Sequence, residues 1–252
     1  MTTSMTHILL TSTNLTLMVT LVAIFAGSFA AGLAGFAFSA TAGAILFHWV
    51  APLEAVPLLL VCSITTQLFS VASLWRTMQW RQCLPYLAGG LVGIPVGARL
   101  LENFNSHAFA AGFGLFLICY STYMLLRPNL AFRAGSRFAE VAAGFAGGIT
   151  GGATAFPGAI PTIWCDMRGL PKSDQRGLVQ PFIAIMQVLA LALLLERQSL
   201  SPRLVIDIAI SLPALLAGSV FGIVAFRNIN EVGFRRTILV LLLISGASLA
   251  LA

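Results

Sequence analysis

The sequence predicts an all-α integral membrane protein, and three observations lead to this class. Of the 252 residues, 58% are hydrophobic and only 9% are charged, whereas soluble domains carry roughly 25% charged residues. The apolar residues form about eight segments of about 20 residues each, the length that crosses a bilayer. Two of the segments are interrupted by glycine and proline, which disfavour a continuous helix. The length therefore suits one membrane domain of two four-segment repeats.

The segments follow in the same order in both halves. A polar lead rich in threonine covers 1–13, the first transmembrane repeat covers 14–130 and the second covers 131–252. The first segment begins at Leu15 and is broken by glycines over 30–49. Unbroken spans are predicted over 54–75, 83–101 and 108–126. The second half opens with a broken segment at 138–167 and continues with spans over 177–195, 203–226 and 234–252.

The amino-acid sequences of the two halves also correspond. The run GLAGFAFSATAGAI begins at Gly32 and GITGGATAFPGAIP begins at Gly148, so the two breaks align. Small residues four apart let membrane helices pack closely, and such pairs recur in the third segment of each half. These pairs are Gly93 with Gly97 and Gly218 with Gly222.

The fifth segment is too short on either side of its break to cross a bilayer. Residues 138–152 and 156–167 reach about 22 and 18 Å, against a hydrocarbon core of roughly 30 Å. A re-entrant pair of half-helices fits this length, and it gathers most basic loop residues on one side, as the positive-inside rule requires. By the repeat, the first segment re-enters from the opposite face. The repeats are then inverted, with both termini outside.

Composition and motifs argue against other function classes. The net charge of +6 comes from cations in short loops, a pattern that sets membrane orientation and gives no reason to expect nucleic acid. The four cysteines lie far apart, without metal-ligand spacing, so we expect neither a metal nor a cofactor. Nothing has the pattern of a nucleophile elbow, a zinc-binding histidine pair or a phosphate loop. The sequence gives no case for an enzyme.

The two breaks are the predicted binding site for a small anion. Interrupted helices expose N–H groups at their starts, and the helix dipole adds partial positive charge there. An oxyanion can be held by such groups without a buried cation. Hydroxyls in the breaks can contact the anion or bond back to their own helix. The residues assigned to the site in the breaks are Gly35, Ser39, Thr41, Thr150, Gly151, Gly152, Thr154 and Pro157.

Further polar residues complete the predicted pathway. Gln67 and Gln187 occupy nearly equivalent places in the second and sixth segments, where a buried amide either lines the pathway or bonds to another helix. For gating or coupling we assign His48, Asp166, Arg168, Lys172 and Arg176. Histidine can carry a proton or lie at the membrane interface. Asp166 can instead pair with Arg168 or Lys172, and the cations either attract anions or only set the topology.

The sequence resembles the sulfite exporter TauE/SafE family, also called the TSUP family, over nearly its whole length. The resemblance rests on G-x-x-x-G-x-x-G-G-x-x-x-x-P from Gly144 to Pro157 and on RGLPKSDQR from Arg168 to Arg176. The first half carries a weaker counterpart in Gly32-x-x-Gly35, Pro52 and Arg81. The resemblance implies an inner-membrane transporter of small sulfur anions, sulfonates or carboxylates, such as sulfite or sulfoacetate. Phe36 and Phe38 depart from the family's glycine-rich pattern and put the substrate in doubt.

The sequence therefore leads to a secondary transporter of a small anion, working by alternating access of the two repeats. Its partners would be the solute, the lipid bilayer and a coupling proton or sodium ion. An anion channel of the same fold and a non-transporting membrane scaffold are the alternatives. Direction of transport and oligomeric state are left open.

Overall fold

A computed structural model describes residues 2–34, 37–74, 78–126, 136–197, 202–228 and 231–251. These residues form ten helices in chain order: α1 (Thr2–Ala34), α2 (Phe38–Leu46), α3 (Pro52–Leu74), α4 (Trp80–Asn103), α5 (Ser106–Leu126), α6 (Arg137–Thr154), α7 (Ala159–Met167), α8 (Lys172–Arg197), α9 (Pro202–Asn228) and α10 (Glu231–Leu251). The predicted all-α class is confirmed.

Several helices have the length and composition of membrane spans. Among the described residues, five qualify: Leu15–Gly32 in α1, Trp80–Asn103, Ser106–Leu126, Asp174–Glu196 in α8 and Leu204–Ala225 in α9. Shorter apolar stretches are Pro52–Leu68 in α3 and Leu242–Leu251 in α10. Large apolar side chains such as Leu216 and Val220 are exposed on the outside of α9, where lipid would cover them. The chain is a multi-pass membrane protein.

The predicted first and fifth segments are each two helices. α1 ends at Ala34 and α2 begins at Phe38, whereas α6 ends at Thr154 and α7 begins at Ala159. Each half therefore has five helices in the structure where the sequence predicted four segments. Residues 2–13, predicted as a polar lead, belong to α1.

The second break turns the chain back on itself. α6 is capped by Ala155, whose φ of 59° lies in the left-handed region. A Cβ on Gly151 would lie 2.8 Å from Cβ of Pro157, and one on Gly147 would lie 3.0 Å from the ring of Pro161. Only glycine permits this approach, so α7 folds back along α6. We call this pair the second hairpin and residues 155–158 its tip.

The first break has the same form. A Cβ on Gly27 would lie 2.8 Å from Cβ of Ala42 and 3.0 Å from the carbonyl oxygen of Phe38. α2 therefore folds back along α1, giving the first hairpin, whose tip we define as the start of α2 at Ala37 and Phe38. The short second arm of each hairpin, α2 or α7, has 9 residues and measures about 13 Å.

Glycine also brings two pairs of long helices together. α4 packs along α6, and α1 packs along α9. A Cβ on any of the contacting glycines would overlap the backbone of the other helix; they are Gly89, Gly93 and Gly97 on α4 and Gly144, Gly148 and Gly152 on α6. On α9, Gly218 and Gly222 meet the backbone of Phe25 and Phe29 of α1. The packing role predicted for the glycine pairs is confirmed, and both helix pairs are parallel because residue numbers rise together along the contact.

Candidate functional site

The polar centre of the bundle lies between α3 and α8. Gln67 Oε1 accepts a hydrogen bond from Gln180 Nε2. Ser63 Oγ accepts one from Gln187 Nε2 at 2.7 Å. Ser63 precedes Gln67 on α3, whereas Gln187 follows Gln180 on α8, so the two helices run antiparallel. All four side chains are buried, and both predicted glutamines bridge helices.

The tip of the second hairpin contacts this centre. Gln187 Nε2 also donates to the carbonyl oxygen of Ala155 at 3.2 Å. A left-handed residue other than glycine costs about 1–3 kcal/mol and persists only where its surroundings hold it. Here the ring of the next residue, Phe156, packs edge to face against Tyr120 and Phe116 of α5, with ring centroids 5.5 and 6.3 Å apart. The tip is therefore fixed from both sides.

The tip of the first hairpin reaches the same level. Gly43 of α2 lies beside Leu59 of α3, since a Cβ on the glycine would be 3.5 Å from Leu59 Cδ1. α2 and α3 are antiparallel neighbours joined by residues 47–51, so one further turn on each helix brings Ser39 level with Ser63. Ser39 is 1% exposed and its Oγ has no hydrogen-bond partner.

Three other predictions concern this tip. Thr41 Oγ1 is buried without a hydrogen-bond partner, as expected of a side chain free to bind a ligand. Gly35 and Phe36 lie outside the described residues. Phe38 is buried, and its ring lies against Gly27 of α1, so it packs within the first hairpin.

Both short helices begin at the tips without a side-chain cap. The residues preceding α2 and α7, Ala37 and Gly158, make no side-chain capping hydrogen bond. By contrast, α6 begins at the hairpin base with Ser136, whose Oγ accepts from the amide of Ala139 at 3.2 Å. The first N–H groups of a helix have no partner inside that helix. The starts of α2 and α7 therefore supply donors and partial positive charge to the centre.

The remaining predicted residues of the second break build the hairpin. Thr150 Oγ1 donates to the carbonyl of Gly147 at 3.0 Å, and Thr154 Oγ1 donates to that of Thr150 at 2.7 Å. These bonds follow the alternative that hydroxyls bond back to their own helix. Gly151 and Pro157 form the contact between α6 and α7, and Gly152 packs on α4 at the carbonyl of Ile94.

His48 lies at the base of the first hairpin, at the end away from the tip. Its Nδ1 lies 3.0 Å from the carbonyl oxygen of Ala44, and its Nε2 lies 3.0 Å from Oγ of Ser248 on α10. The side chain is exposed and about 13 Å along α2 from Ser39. The structure therefore does not bring His48 to the tips.

Arg168 lies at the base of the second hairpin and pairs with a residue that the sequence did not single out. Its Nη1 is 2.6 Å from Oε1 of Glu140 on α6, with 25% and 15% of the two side chains exposed. The ion pair joins the two arms of the hairpin, in place of the pairing of Arg168 with Asp166 considered above. Lys172 is the first residue of α8, and Arg176 is exposed one turn later.

A cavity of about 430 Å³ opens at the base of the first hairpin. Its wall includes Thr20 of α1, Leu46 of α2, Leu58 of α3 and two carboxylates, Glu54 and Asp207. Leu58 lies little more than one turn from Ser63 along α3. Leu58 is therefore the part of the cavity wall that lies nearest to the polar centre along α3.

The centre is polar without being charged. Among the side chains that the structure describes, the buried polar ones are hydroxyls and amides: Thr20, Ser28, Ser39, Ser63, Gln67, Ser121, Thr154, Thr162, Gln180, Gln187 and Ser211. No group of three or more His, Cys, Asp or Glu suited to a metal occurs in the same part of the chain. The donors available to a ligand are hydroxyls and helix starts.

Four residues of this arrangement escaped the sequence analysis: Ser63, Glu140, Ala155 and Gln180. Gln180 and Ser63 are polar residues inside apolar runs, the same signal that identified Gln67 and Gln187. Ala155 carries no such signal, because its role depends on a backbone carbonyl. Glu140 resembles any charged residue near a helix start.

Comparison with known proteins agrees with this architecture. The profile of the family described as "Sulfite exporter TauE/SafE" matches residues 19–249, which include both hairpins and the α3–α8 centre. Searches of curated proteins and of solved structures gave no match. The match covers nearly the whole chain, and the chain therefore belongs to the sulfite exporter TauE/SafE family of membrane transporters.

Proposed function

We propose that the protein is a secondary transporter that carries sulfite or a related small sulfur anion, sulfonate or carboxylate across the inner membrane. The binding site lies between the two hairpin tips, on the α3–α8 pair. The observations that carry the proposal are the buried Ser39 Oγ without a partner, the buried hydrogen bond from Gln187 to Ser63 and the two helix starts without a side-chain cap. Membership of a family of sulfite exporters supports the sulfur anion.

Helix packing supports two inverted repeats. If α1–α5 correspond to α6–α10, the parallel pair α4–α6 corresponds to the parallel pair α9–α1. α3 then corresponds to α8, and the hydrogen bonds of Gln67 and Ser63 require these two helices to be antiparallel. Equivalent helices pointing in opposite directions are what an inverted repeat requires. The predicted inside-positive topology places both termini outside.

The chemistry of the centre suits an anion. A helix start carries roughly half a positive charge, and its N–H groups point at the ligand. Two such starts oppose about one negative charge without burying a lysine or arginine in hydrocarbon. Ser39 Oγ and Thr41 Oγ1 add hydroxyl donors that have no other partner.

Access to the centre differs between the two ends of the bundle. The cavity by Glu54 and Asp207 opens at the base of the first hairpin. At the base of the second hairpin, the Arg168–Glu140 ion pair joins α7 to α6. In alternating access, one repeat rocks against the other so that these two ends open in turn, and Arg168 acts as part of the gate. A proton or sodium gradient would drive the cycle.

Reconstituted protein tests this function. Proteoliposomes loaded with sulfite should exchange labelled sulfite in counterflow, which a channel does not sustain. The Ser39→Ala variant should lower the exchange about tenfold, since a hydrogen bond to a charged group contributes about 1.5–3 kcal/mol. Ser211→Ala is the matched control, because Ser211 is equally buried and its Oγ also lacks a partner, on α9.

Three outcomes would contradict the proposal. Passive sulfite flux without counterflow would support a channel, and no movement of any sulfite, sulfonate or carboxylate would support a scaffold. If Ser39→Ala and Ser211→Ala lowered the exchange rate equally, the binding site would not be at the first tip.

A further inference from the structure

One acceptor atom at the centre is left without a hydrogen bond. Gln187 is 2% exposed, and its Nε2 donates both to Ser63 Oγ and to the carbonyl oxygen of Ala155. A carbonyl oxygen only accepts, so the bond to Ala155 fixes which end of the amide is nitrogen. Gln187 Oε1 is then the free end, and it has no partner.

The free oxygen is held in place by its surroundings. Two hydrogen bonds fix the Gln187 amide, and the Ala155 carbonyl that takes one of them is itself fixed by the ring contacts of Phe156. Turning the amide over would bring Oε1 against that carbonyl, acceptor to acceptor. A buried acceptor in such a position is satisfied only when a donor arrives from outside the protein.

A solute bound at this site can supply the donor. Ser39 Oγ, which has no partner, is a hydroxyl that can donate to an anion's oxygen. Gln187 Oε1 can only accept. A fully ionised oxyanion has no hydrogen to offer, and it would place a lone pair against this oxygen. An oxyanion that retains one O–H satisfies both atoms.

The charge that the site can compensate also favours a solute with a single negative charge. The buried polar side chains that the structure describes are neutral, and two helix starts together offset about one unit of negative charge. A dianion would leave one charge uncompensated in a low-dielectric interior, which is strongly unfavourable.

We propose that the site binds its oxyanion in the monoprotonated form, hydrogensulfite rather than sulfite. Gln187 Oε1 then accepts the hydrogen bond from the solute's O–H. This inference rests on the proposed transport function. The solute then carries its own proton across the membrane, so that proton coupling needs no ionisable side chain at the centre. His48, at the hairpin base, is not required for it.

The wild-type protein in proteoliposomes gives the first test. Counterflow is measured over a range of pH at several total sulfite concentrations. We expect KM to stay constant when expressed as hydrogensulfite. Methanesulfonate, a monoanion of similar shape with a methyl group where the O–H would be, should compete at least tenfold more weakly than hydrogensulfite. A KM that is constant as the dianion, or equal competition by methanesulfonate, overturns the inference and leaves the transport function intact.

A substitution of Gln187 tests the role of its amide oxygen. Gln187→Leu removes the acceptor, so the ratio of KM for methanesulfonate to KM for hydrogensulfite should fall at least tenfold. Gln180→Leu, a second buried amide on α8, is the control and should leave this ratio unchanged. An unchanged ratio in Gln187→Leu would assign the residue a structural role and overturn the inference. If Gln187→Leu does not fold, the wild-type competition decides. No movement of any anion at any pH would overturn the transport function together with the inference.

Discussion

Buried amides show how this bundle accommodates polar side chains. Gln67 and Gln180 satisfy each other across α3 and α8. Interhelical hydrogen bonds in membranes contribute about 0.6 kcal/mol on average and up to about 1.7, while a buried amide left without a partner costs about 1–3 kcal/mol. The pair therefore matters more through the cost of breaking it than through the strength of the bond.

This asymmetry predicts a non-additive double-mutant cycle. Gln67→Leu removes the acceptor of Gln180 Nε2 and should lower the free energy of unfolding by about 1–2 kcal/mol. Gln67→Leu combined with Gln180→Leu should cost less than the sum of the single variants by about 0.5–1.5 kcal/mol. Equilibrium unfolding in mixed detergent measures both. Additive losses would mean that the two side chains are not coupled.

At the residue scale, sequence identified polar side chains and missed their partners. Ser39, Gln67 and Gln187 stand out because each is polar within an apolar segment. The partners Ser63 and Gln180 follow from the antiparallel register of α3 and α8, which depends on how the two halves pack. That register is long-range information that periodicity does not contain.

At the element scale, glycine and proline predicted both breaks but not their limits. The sequence predicted half-helices over 138–152 and 156–167, and so a break at 153–155. In the structure α6 continues to Thr154 and α7 begins at Ala159. α6 extends because Gly148 and Gly152 are covered by the backbone of α4, where glycine's cost in a helix is offset by close packing. Composition alone shows that glycine disfavours a helix, but not the packing that offsets this cost.

The α4–α6 contact gives a prediction for a single methyl group. Gly93→Ala would place its Cβ against the carbonyl oxygen of Phe145, where only backbone can move. We expect a loss of about 1–3 kcal/mol in the free energy of unfolding, from overpacking. Gly112→Ala is the control: Gly112 lies on α5 with nothing within 4 Å of the new Cβ, so helix propensity should stabilise it by up to about 1 kcal/mol.

Thermal unfolding of the two variants in detergent makes the comparison. A Gly93→Ala protein as stable as Gly112→Ala would show that α4 and α6 are not in close contact.

At the scale of the whole molecule, the two ends of the bundle differ in charge. The cavity at the base of the first hairpin is lined by Glu54 and Asp207. Carboxylates around an opening lower the local concentration of anions. The carboxylates should therefore bias anions against entering the protein through this end.

Neutralising one carboxylate should weaken this bias. Glu54→Gln should raise the initial rate of sulfite entry from the cavity end about two- to five-fold at low ionic strength. The effect should shrink in high salt, because screening shortens electrostatic reach. Glu102→Gln, at the exposed end of α4 and outside the cavity wall, is the control. A rate increase that persists in high salt, or that Glu102→Gln reproduces, would contradict a local electrostatic barrier.

The overall architecture was the most predictable level. Hydropathy predicted a multi-span helical protein, and the glycine-rich motif with the RGLPKSDQR loop pointed to the family that the profile match shows. The sequence predicted that the first segment of each half is a pair of half-helices, but not that the second arm of each pair has only 9 residues, because an arm this short does not register as a span. The position of the cavity could not be read from sequence, since it depends on which end of the bundle is open.

The central claim is that the two hairpin tips hold the anion between them. A density map of the protein with bound hydrogensulfite, at a resolution that shows side chains, tests it most directly. The account predicts anion density within about 2.7–3.2 Å of Ser39 Oγ and Gln187 Oε1, with both helices interrupted at the tips. Continuous helix through 34–38 and 154–159, or anion density confined to the cavity by Glu54, would contradict it.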